Sequence, residues 1–287
     1  MKEPKRIPKI KVDHLGFIFD MGSRQKIEVL KDIDFEAKEG NFVCILGPSG
    51  CGKSTLFNVI AGLLSPSVGN IFLDGQSING KTGLVGYMFQ KDLLLPWRSI
   101  FENIILGAEI QKKDITENAK KALDLIKKYG LAGFEDYYPK FLSGGMRQRA
   151  AFLRTMMLEN KIMLLDEPFG ALDAQTRLSM QEWLHDVWRD SKKTIIFITH
   201  DVDEAIFLAE RVLVLSHRPS TILKYVDIPL PENRQYEMMG EPEIIKLRSE
   251  MFKLIRKERQ KSLGGKESEI DQITKTVEEG LVNENQE

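Results

Sequence analysis

A glycine-rich segment near residue 50 has the residue types and spacing that bind phosphate. Its sequence, GPSGCGKST at residues 47–55, fits the pattern G-x-x-x-x-G-K-[ST]. Its glycines let backbone N–H groups approach phosphate oxygens, Lys53 reaches the β- and γ-phosphates, and the Ser54 hydroxyl is suited to bind Mg²⁺. We expect the whole segment to contribute to a nucleotide site: Gly47, Pro48, Ser49, Gly50, Cys51, Gly52, Lys53, Ser54 and Thr55.

The sequence on either side of this segment supports the prediction. The apolar run NFVCILG is typical of a strand buried on both faces, and Gly47 ends it. The segment KSTLFNVIAGLL follows, and its apolar residues Leu56, Val59, Ile60 and Leu63 have the spacing of one helix face. Strand, glycine turn and helix form one α/β unit, so we expect a helix N-terminus at the phosphate. Cys51 fills a position that the pattern leaves free, and we interpret it as a tolerated small residue.

Two adjacent acids follow another apolar run, in KIMLLDEP. Asp166 is placed at the end of a predicted buried strand and Glu167 directly follows it. Open α/β sheets bind ligands at the carboxyl edge of their strands. We therefore expect Asp166 to bind Mg²⁺, directly or through water, and Glu167 to polarise an attacking water.

Two further strand ends carry polar side chains. His200 ends the run in FITHD, where it is either a structural residue or a donor to a γ-phosphate oxygen. Gln90 ends VGYMFQ, and its neutral amide is suited to reach the metal or the water. We predict catalytic roles for Lys53, Gln90, Glu167 and His200 together.

A second turn suited to anions occurs in FLSGGMRQRA, residues 141–150. Ser143 is a good helix N-cap, and Gly144 and Gly145 expose backbone N–H groups. The turn is either an ordinary capped helix start or a phosphate site. Since Lys53, the metal and His200 suffice for one γ-phosphate, a second donor turn is better explained as serving the nucleotide of another molecule.

The remaining apolar runs predict the sheet that positions these residues. They occur at residues 84–89, 162–165, 194–199 and 212–215 and are separated by helical stretches. We predict an α/β fold: a P-loop NTPase (RecA-like) core with a mostly parallel sheet, an N-terminal antiparallel β portion, and a helical insertion over about residues 91–161. Within that insertion we predict two apolar helix faces, formed by Ala119, Leu123 and Ile126, and by Met146, Ala150, Leu153 and Met157.

Domain boundaries follow from composition and periodicity. We expect a nucleotide-binding domain over residues 1–230, a helical extension over residues 231–263, and an acidic, disordered tail over residues 264–287. The extension has one apolar face, which packs on its own domain or forms a dimer contact: Ile244, Leu247, Met251 and Leu254.

Bulk composition excludes several classes of protein. The 287 residues carry a formal net charge of −1, which favours neither nucleic acid nor anionic lipid as a partner. The two cysteines form no disulfide framework or metal-ligand pattern, so a reducing cytosolic setting is expected. There is no secretory signal pattern at the N-terminus and no run of eighteen apolar residues. If the protein acts at a membrane, other chains must cross it.

The set of motifs resembles the ATP-binding subunits of ABC transporters, over nearly everything from about Lys11 to Ile222. The order is that of the family: Walker A at residues 47–55, the Q-loop at Gln90, the signature LSGGMRQR, Walker B through Asp166, then Glu167, GALD at residues 170–173, and His200. The resemblance implies ATP as the nucleotide, Mg²⁺ as the cofactor, and hydrolysis coupled to transport across a membrane.

In that family two subunits pack head to tail. Each ATP lies between the glycine-rich phosphate loop of one subunit, here called the cradle, and the signature turn of its partner. The resemblance therefore implies that Ser143 and Gly145 contact the partner's γ-phosphate, with Gly144 in the same turn, and that Asp173 lies across the dimer seam. It also implies an aromatic platform for adenine upstream of Walker A. Phe19 matches that place, and Phe17 is close enough to leave the register open.

A finer resemblance points to importers of nitrate, sulfonate, taurine and bicarbonate, with relatives that carry pyrimidine precursors. Its phrases include DLLLPWRSIFENI, LAGFEDYYP and DEPFGALDAQTR, whereas RAAFLRTMM departs from the usual R-V-A-L-A-R-A. It implies separate permease chains, a solute-binding protein, and a peripheral position on the cytoplasmic side of the cell membrane. The LLLPW segment around Trp97 is either the surface that receives the permease or a seam between core and insertion.

Other functions fit the sequence less well. A P-loop kinase needs no signature turn, and the Asp166–Glu167 pair favours water as the acceptor. ABC-type ATPases of DNA repair and chromosome organisation insert long coiled coils or zinc modules between cradle and signature, where this chain has fewer than a hundred residues. Relatives that act in translation usually carry two cassettes in one chain, and this chain carries one.

Overall fold

The computed structural model describes residues 7–20 and 26–262. This part of the chain contains ten strands: β1 (Ile10–Asp20), β2 (Lys26–Ala37), β3 (Phe42–Leu46), β4 (Val68–Leu73), β5 (Gln76–Ser77), β6 (Gly86–Met88), β7 (Ile162–Asp166), β8 (Thr194–Thr199), β9 (Arg211–Leu215) and β10 (Ile222–Asp227). It also contains seven α-helices: α1 (Lys53–Ile60), α2 (Ile100–Ile110), α3 (Ile115–Lys128), α4 (Gly144–Met156), α5 (Ala174–Ser191), α6 (Val202–Leu208) and α7 (Pro242–Ser262).

The strands form two sheets. The larger has the order β10-β9-β3-β8-β7-β6, and all its neighbours are parallel except β10, which is antiparallel to β9. The smaller sheet, β2-β1-β4-β5, is antiparallel throughout. Helices α2, α3 and α4 lie between β6 and β7 in the chain. The predicted fold class, a mostly parallel core with an antiparallel N-terminal portion and a helical insertion, is confirmed.

The central strands are buried on both faces. Along β3, Phe42, Cys44 and Leu46 pack into one apolar cluster with the helices, whereas Val43 and Ile45 pack into a second cluster with the antiparallel sheet. All five side chains are buried, which explains why the sequence of β3 is continuously apolar rather than alternating. The larger sheet is therefore the middle layer of the domain.

Several predicted element ends were wrong. The run at residues 84–89 forms only the three-residue strand β6. Leu84 and Phe89 lie outside this strand, and both are 40% exposed. The Phe89 ring stacks on Tyr87. The helix after the cradle ends at Ile60, where Gly62 adopts a left-handed φ of 75°, so Leu63 is exposed rather than part of the buried face.

The predicted apolar face of α3 was also wrong in part. The buried residues are Asn118, Ala122 and Ile126, whereas Leu123 is 47% exposed. The Asn118 side chain is buried because its amide donates to the carbonyl of Asp114, at 2.7 Å, inside the first turn. A pattern that counts only apolar residues misses a buried polar position such as this one. The predicted buried face of α3 therefore started one residue too late.

The other predicted faces agree with the structure. In α4, Ala150 and Leu153 are fully buried, Met157 just beyond it is buried, and Met146 packs partly against the same cluster. In α7, Ile244 and Met251 are buried in the main apolar cluster, and Leu247 and Leu254 pack against it. Packing of α7 on its own domain is thus confirmed. The acidic tail at residues 264–287 lies outside the described residues.

No helix in residues 7–20 and 26–262 combines the length and the hydropathy that a membrane crossing requires.

His185 on α5 is a buried titratable group away from the cradle. It is 2% exposed, and its ring packs beside Trp188 and Phe207 at centroid distances of 5.6 Å and 5.8 Å. Its Nε2 is buried and has no hydrogen-bond partner among the described residues. Burial, together with the charges of Arg234 and Arg189, lowers the pKa of His185 from 6.5 to about 4.

We predict that this histidine makes the protein acid-sensitive between pH 6.5 and 4. In that range the unfolded chain binds a proton at residue 185 and the folded chain does not, so the stabilisation present above pH 6.5 is lost as the pH falls. His185→Leu should reduce the decrease in unfolding free energy on acidification, by on the order of 2 kcal/mol at the acid end of this range. Urea unfolding at pH 7, 5.5 and 4.5 measures the effect.

His14→Leu is the matched control, because the His14 side chain is 70% exposed. The hydrogen bond to Asp32 raises the pKa of His14, so this variant should not flatten the loss of stability on acidification and should slightly steepen it. Parallel stability curves for wild type and His185→Leu would contradict the assignment.

Candidate functional site

The glycine-rich loop between β3 and α1 forms a cradle that only glycine permits at two positions. Gly50 and Gly52 have left-handed φ angles of 77° and 116°. A Cβ on Gly52 would lie 2.7 Å from Cγ1 of Val29, so no side chain fits there. Gly52 is also the N-cap of α1 and provides no side-chain cap, which leaves the first-turn N–H groups to other acceptors. This loop fits a phosphate group.

A cavity of about 310 Å³ opens above the loop. Its lining comes from the cradle, from two strand ends and from one loop after β9: Ser49, Gly50, Gly52, Lys53, Ser54, Thr55, Gln90, Glu167 and Arg218. The sheet register explains why these segments meet. Leu46 of β3 pairs with Thr199 of β8 and with Val214 of β9, while Asp166 of β7 pairs with Ile198, so all four strands end at one edge.

Lys53 places a positive charge at the floor of this cavity. Its side chain is 5% exposed, and its Nζ donates to the carbonyls of Gly47 at 2.9 Å and Pro48 at 3.2 Å. The same nitrogen lies 3.5 Å from Oε1 of Glu167. The ammonium is therefore fixed by the cradle backbone while it faces the strand-end acids.

Asp166 and Ser54 provide neighbouring oxygen ligands. The Ser54 hydroxyl is hydrogen-bonded to the Asp166 carboxylate, and the Tyr87 hydroxyl lies 3.3 Å from Oδ2 of Asp166. Burial raises the pKa of Asp166, and the charge of Glu167 adds to this, while the hydrogen bonds from Ser54 and Tyr87 oppose it. Mg²⁺ prefers carboxylate and hydroxyl oxygens, so this donor set fits the predicted metal.

Glu167 is held in an uncommon backbone conformation. Its φ is 43°, in the left-handed region, which costs a non-glycine residue about 1–2 kcal/mol. Its backbone N–H donates to the carbonyl of Ile198 at 3.0 Å, so β8 fixes its position. Its carboxylate lies between Lys53 and His200, whose Nδ1 is 3.1 Å from Oε2. Gln90 is exposed and lines the same cavity.

The second donor turn lies apart from this cavity. Ser143 is the N-cap of α4, and its Oγ accepts from the backbone N–H of Met146 at 3.3 Å. A Cβ on Gly145 would lie 3.0 Å from Cγ2 of Thr176, so the turn packs against the start of α5. Ser143 is exposed, and neither it nor the two glycines after it line the cradle cavity.

Asp173 caps α5 beside this turn. Its side chain accepts from the backbone N–H of Thr176 at 3.0 Å, and hydrogen bonds from the side chain and backbone of Thr176 lower the pKa of Asp173. It also does not line the cradle cavity. The structure thus places Ser143 and Asp173 outside the cradle cavity, and Phe19 also does not line it.

Two functional candidates were missed by the sequence argument. Tyr87 was counted as part of an apolar strand, although burial and Asp166 together raise the pKa of its hydroxyl. Arg218 follows β9 in LSHRPS and lines the cavity. The rule that polar residues after parallel strands meet at one edge could have found Arg218, because β9 was among the predicted strands.

Comparison with known proteins agrees with this geometry. The family model described as ABC transporter matches residues 30–170. The nitrate import ATP-binding protein NrtD of Synechocystis sp. is 42% identical over 256 residues, which are 86% of this chain and 95% of that protein. The aliphatic sulfonates import ATP-binding protein SsuB of Bacillus cereus is 40% identical over 234 residues, which are 81% of this chain and 92% of that protein.

A solved structure supports the same conclusion. It is the dimeric post-hydrolysis state of an ATP-binding cassette bound to ADP and Pi, with a TM-score of 0.66 and 29% identity, and the match covers 77% of this chain and 100% of that chain. Together with the relatives, it shows that this chain belongs to the ATP-binding, ATP-hydrolysing subunits of ABC transporters.

Proposed function

We propose that this ATPase works as a head-to-tail homodimer that drives a separate permease in a solute import system. One observation supports the dimer above all: the exposed Ser143 and the two glycines after it do not line the cradle cavity of their own chain. A second copy would supply the missing turn to each cradle. The related cassette bound to ADP and Pi is itself dimeric.

In this proposal the cradle binds the triphosphate and two oxygens bind the metal. The loop N–H groups and Lys53 hold the β- and γ-phosphates. Ser54 and Asp166 hold Mg²⁺, with Gln90 able to reach the metal or the water. When bound, Mg²⁺ neutralises charge on the phosphate oxygens. Tyr87 keeps the Asp166 carboxylate oriented through its hydroxyl.

Glu167 is the proposed base for water. One carboxylate oxygen faces Lys53 at 3.5 Å, and the other lies 3.1 Å from Nδ1 of His200. An entering γ-phosphate competes with Glu167 for Lys53, which frees one carboxylate oxygen to accept a proton from water. His200 then positions Glu167 and donates to the phosphate, so the three residues act as one unit.

The Ser143 turn of the second copy completes the site. Ser143 and Gly145, with Gly144 between them, present donors to the γ-phosphate bound by the other copy, and Asp173 lies at the seam. Hydrolysis removes the phosphate that both copies share, so the pair opens and the permease changes its conformation. Each hydrolysis cycle is thereby coupled to one movement of the partner chains.

Phe19 is the proposed adenine platform. Phe17 is only 6% exposed and belongs to the core, whereas Phe19 is 41% exposed and meets the Phe17 ring edge to face at 4.8 Å. An exposed ring backed by a buried one suits stacking on a base. This exposure supports Phe19 over Phe17 as the contact.

The import role rests on the relatives and on one exposed segment. Named relatives import nitrate and aliphatic sulfonates, and the proposed solute is a small anion or organic solute such as nitrate, sulfonate, taurine or bicarbonate, with a pyrimidine precursor as the second candidate. Trp97 is 70% exposed and Leu93 is 51% exposed, which favours a permease-docking surface over an internal seam. A solute-binding protein completes the system. Transport by the reconstituted complex, with these solutes in turn, tests the solute.

The proposed location is the cytoplasmic side of the cell membrane, where the subunit is held by the permease. Residues 1–230 form the proposed ATPase domain and residues 231–263 its helical extension. Fractionation of cells that express the chain with and without its permease tests the location, since the chain should leave the membrane fraction when the permease is missing.

We predict that Phe19→Ala weakens ATP binding roughly tenfold, since base–aromatic stacking contributes ~1–3 kcal/mol. Phe19→Tyr should bind like wild type. Ile18→Ala is the control, because Ile18 is the adjacent exposed apolar residue, at 37%. Equilibrium titration with ATP measures all three, and equal affinity for Phe19→Ala and Ile18→Ala would reject the platform.

We predict that Glu167→Gln retains ATP binding and accumulates as a closed dimer with turnover reduced about 10²–10⁴-fold, because the amide accepts no proton from water. Phosphate release and size-exclusion chromatography with ATP measure the two effects. Glu182→Gln, an exposed acid on α5, should behave as wild type. Normal turnover in Glu167→Gln would exclude Glu167 as the base.

We predict that Ser143→Arg binds ATP normally and does not hydrolyse it, since the arginine blocks the partner's phosphate. Ser249→Arg, on the exposed side of α7, is the control. Mixing Ser143→Arg with Lys53→Ala gives heterodimers in which one cradle and one signature turn are intact at the same site, so activity should partly return. Unimpaired hydrolysis by Ser143→Arg alone would refute a shared site.

A further inference from the structure

The loop between β9 and β10, SHRPST at residues 216–221, connects the cradle with the C-terminal helix. Ser220 is fully buried, and its hydroxyl donates to the carbonyl of Cys51 within the glycine-rich loop. Its backbone N–H donates to Val29 at 2.9 Å, and its carbonyl accepts from Lys31 at 2.9 Å. One end of this loop is therefore fixed to the cradle and to β2.

The other end is held by α7. Glu258 is 1% exposed, and its Oε2 accepts from the backbone N–H of His217 at 3.1 Å and lies 2.8 Å from Nδ1 of the same residue. Its Oε1 accepts from Lys261 at 2.6 Å. Burial acts to raise the pKa of Glu258, but the hydrogen bonds from Lys261 and His217 outweigh it and lower the pKa to about 2. The carboxylate is thus ionised and fully paired at neutral pH.

Arg218 lies between these two anchors. Its side chain is exposed and lines the cradle cavity together with Ser49, Gly50 and Gln90. Its guanidinium takes part in no ion pair with any residue in 7–20 and 26–262. Glu167, the acid that shares the cavity lining, is already engaged by Lys53 and His200.

An unpaired guanidinium at the rim of an anion cavity has a suitable ligand in the phosphate chain. Arginine offers five N–H donors in a planar array that matches phosphate oxygens, and its charge persists at any physiological pH. Because Ser220 and His217 fix the backbone on both sides, little backbone freedom is lost when the side chain binds.

We propose that Arg218 binds the phosphate chain of ATP and that Glu258 of α7 positions it through His217. The inference rests on the proposed nucleotide site and adds two residues to it. Arg218 is a nucleotide-binding residue in this scheme, whereas Glu258 acts only through its neighbours. The C-terminal helix is thereby coupled to nucleotide affinity.

The first experiment measures ATP affinity in the full chain without Mg²⁺ or turnover. Arg218→Ala should weaken binding of a ribose-labelled fluorescent ATP about tenfold, as expected for loss of one charge-assisted hydrogen-bonding group. Arg218→Lys, which keeps the charge without the planar array, should have an ATP affinity between those of the wild type and Arg218→Ala. Lys224→Ala removes an exposed cation on β10 and should bind like wild type.

The second experiment separates positioning from simple stabilisation by a double-mutant cycle. Glu258→Gln should weaken ATP binding about threefold in the wild-type background and not at all in the Arg218→Ala background, because the residue that it positions is missing. A purely structural Glu258 would lower thermal stability equally in both backgrounds and would change affinity by the same factor in each.

The outcomes are distinct. Wild-type affinity in Arg218→Ala would overturn the contact, and equal losses for Glu258→Gln in both backgrounds would overturn the positioning role. Failure of the wild-type chain to bind the labelled ATP would reject the nucleotide site itself and thus the proposed function.

Discussion

The Glu167 carboxylate is the contact on which the rest of the site depends. It lies 3.5 Å from Lys53 and 3.1 Å from His200, so it joins the loops that follow β3, β7 and β8. Its left-handed backbone is maintained by the bond to Ile198. The register of β7 on β8 pairs Asp166 with Ile198, and the same Ile198 carbonyl accepts from the strained Glu167, so the strand pair holds this conformation.

In the proposed mechanism, this arrangement accounts for the need for a second chain. Within one copy, Glu167 satisfies Lys53 and His200, and a charge paired in that way is a poor base. In that mechanism bound ATP competes for Lys53, and the proposed donors for the far side of the γ-phosphate are on the Ser143 turn, which does not line the cradle cavity of its own chain. Association of two copies is therefore the step that converts a bound nucleotide into a reactive one, and the permease is coupled to that association.

The sequence predicts the cradle and the strand-end acids well because their chemistry is local. Gly50 and Gly52 are required by backbone angles within one loop, and Asp166 and Glu167 follow directly from the end of a buried strand. The order of elements and the mostly parallel sheet also follow from the spacing of the apolar runs.

Features that depend on side-chain hydrogen bonds, on exposure or on distant contacts could not be predicted in the same way. Asn118 is buried because of a hydrogen bond to its own first turn, which no apolar periodicity reports. Glu258 is in a helix with many exposed charges, and only the fold brings it to His217, 41 positions earlier. Phe17 and Phe19 could be distinguished only by exposure, since both fit the aromatic position by type.

The contact between Glu258 and His217 also bears on why the chain continues past the ATPase core. A helix that served stability alone would need only its apolar face, and Ile244 and Met251 already provide that. Burying a carboxylate is unfavourable unless it is paired, so a charged anchor near the end of α7 calls for a reason beyond packing. The partner of Glu258 is His217, and the next residue, Arg218, lines the cradle cavity. Hydrogen bonds therefore connect the C-terminal helix to the loop that borders the nucleotide site.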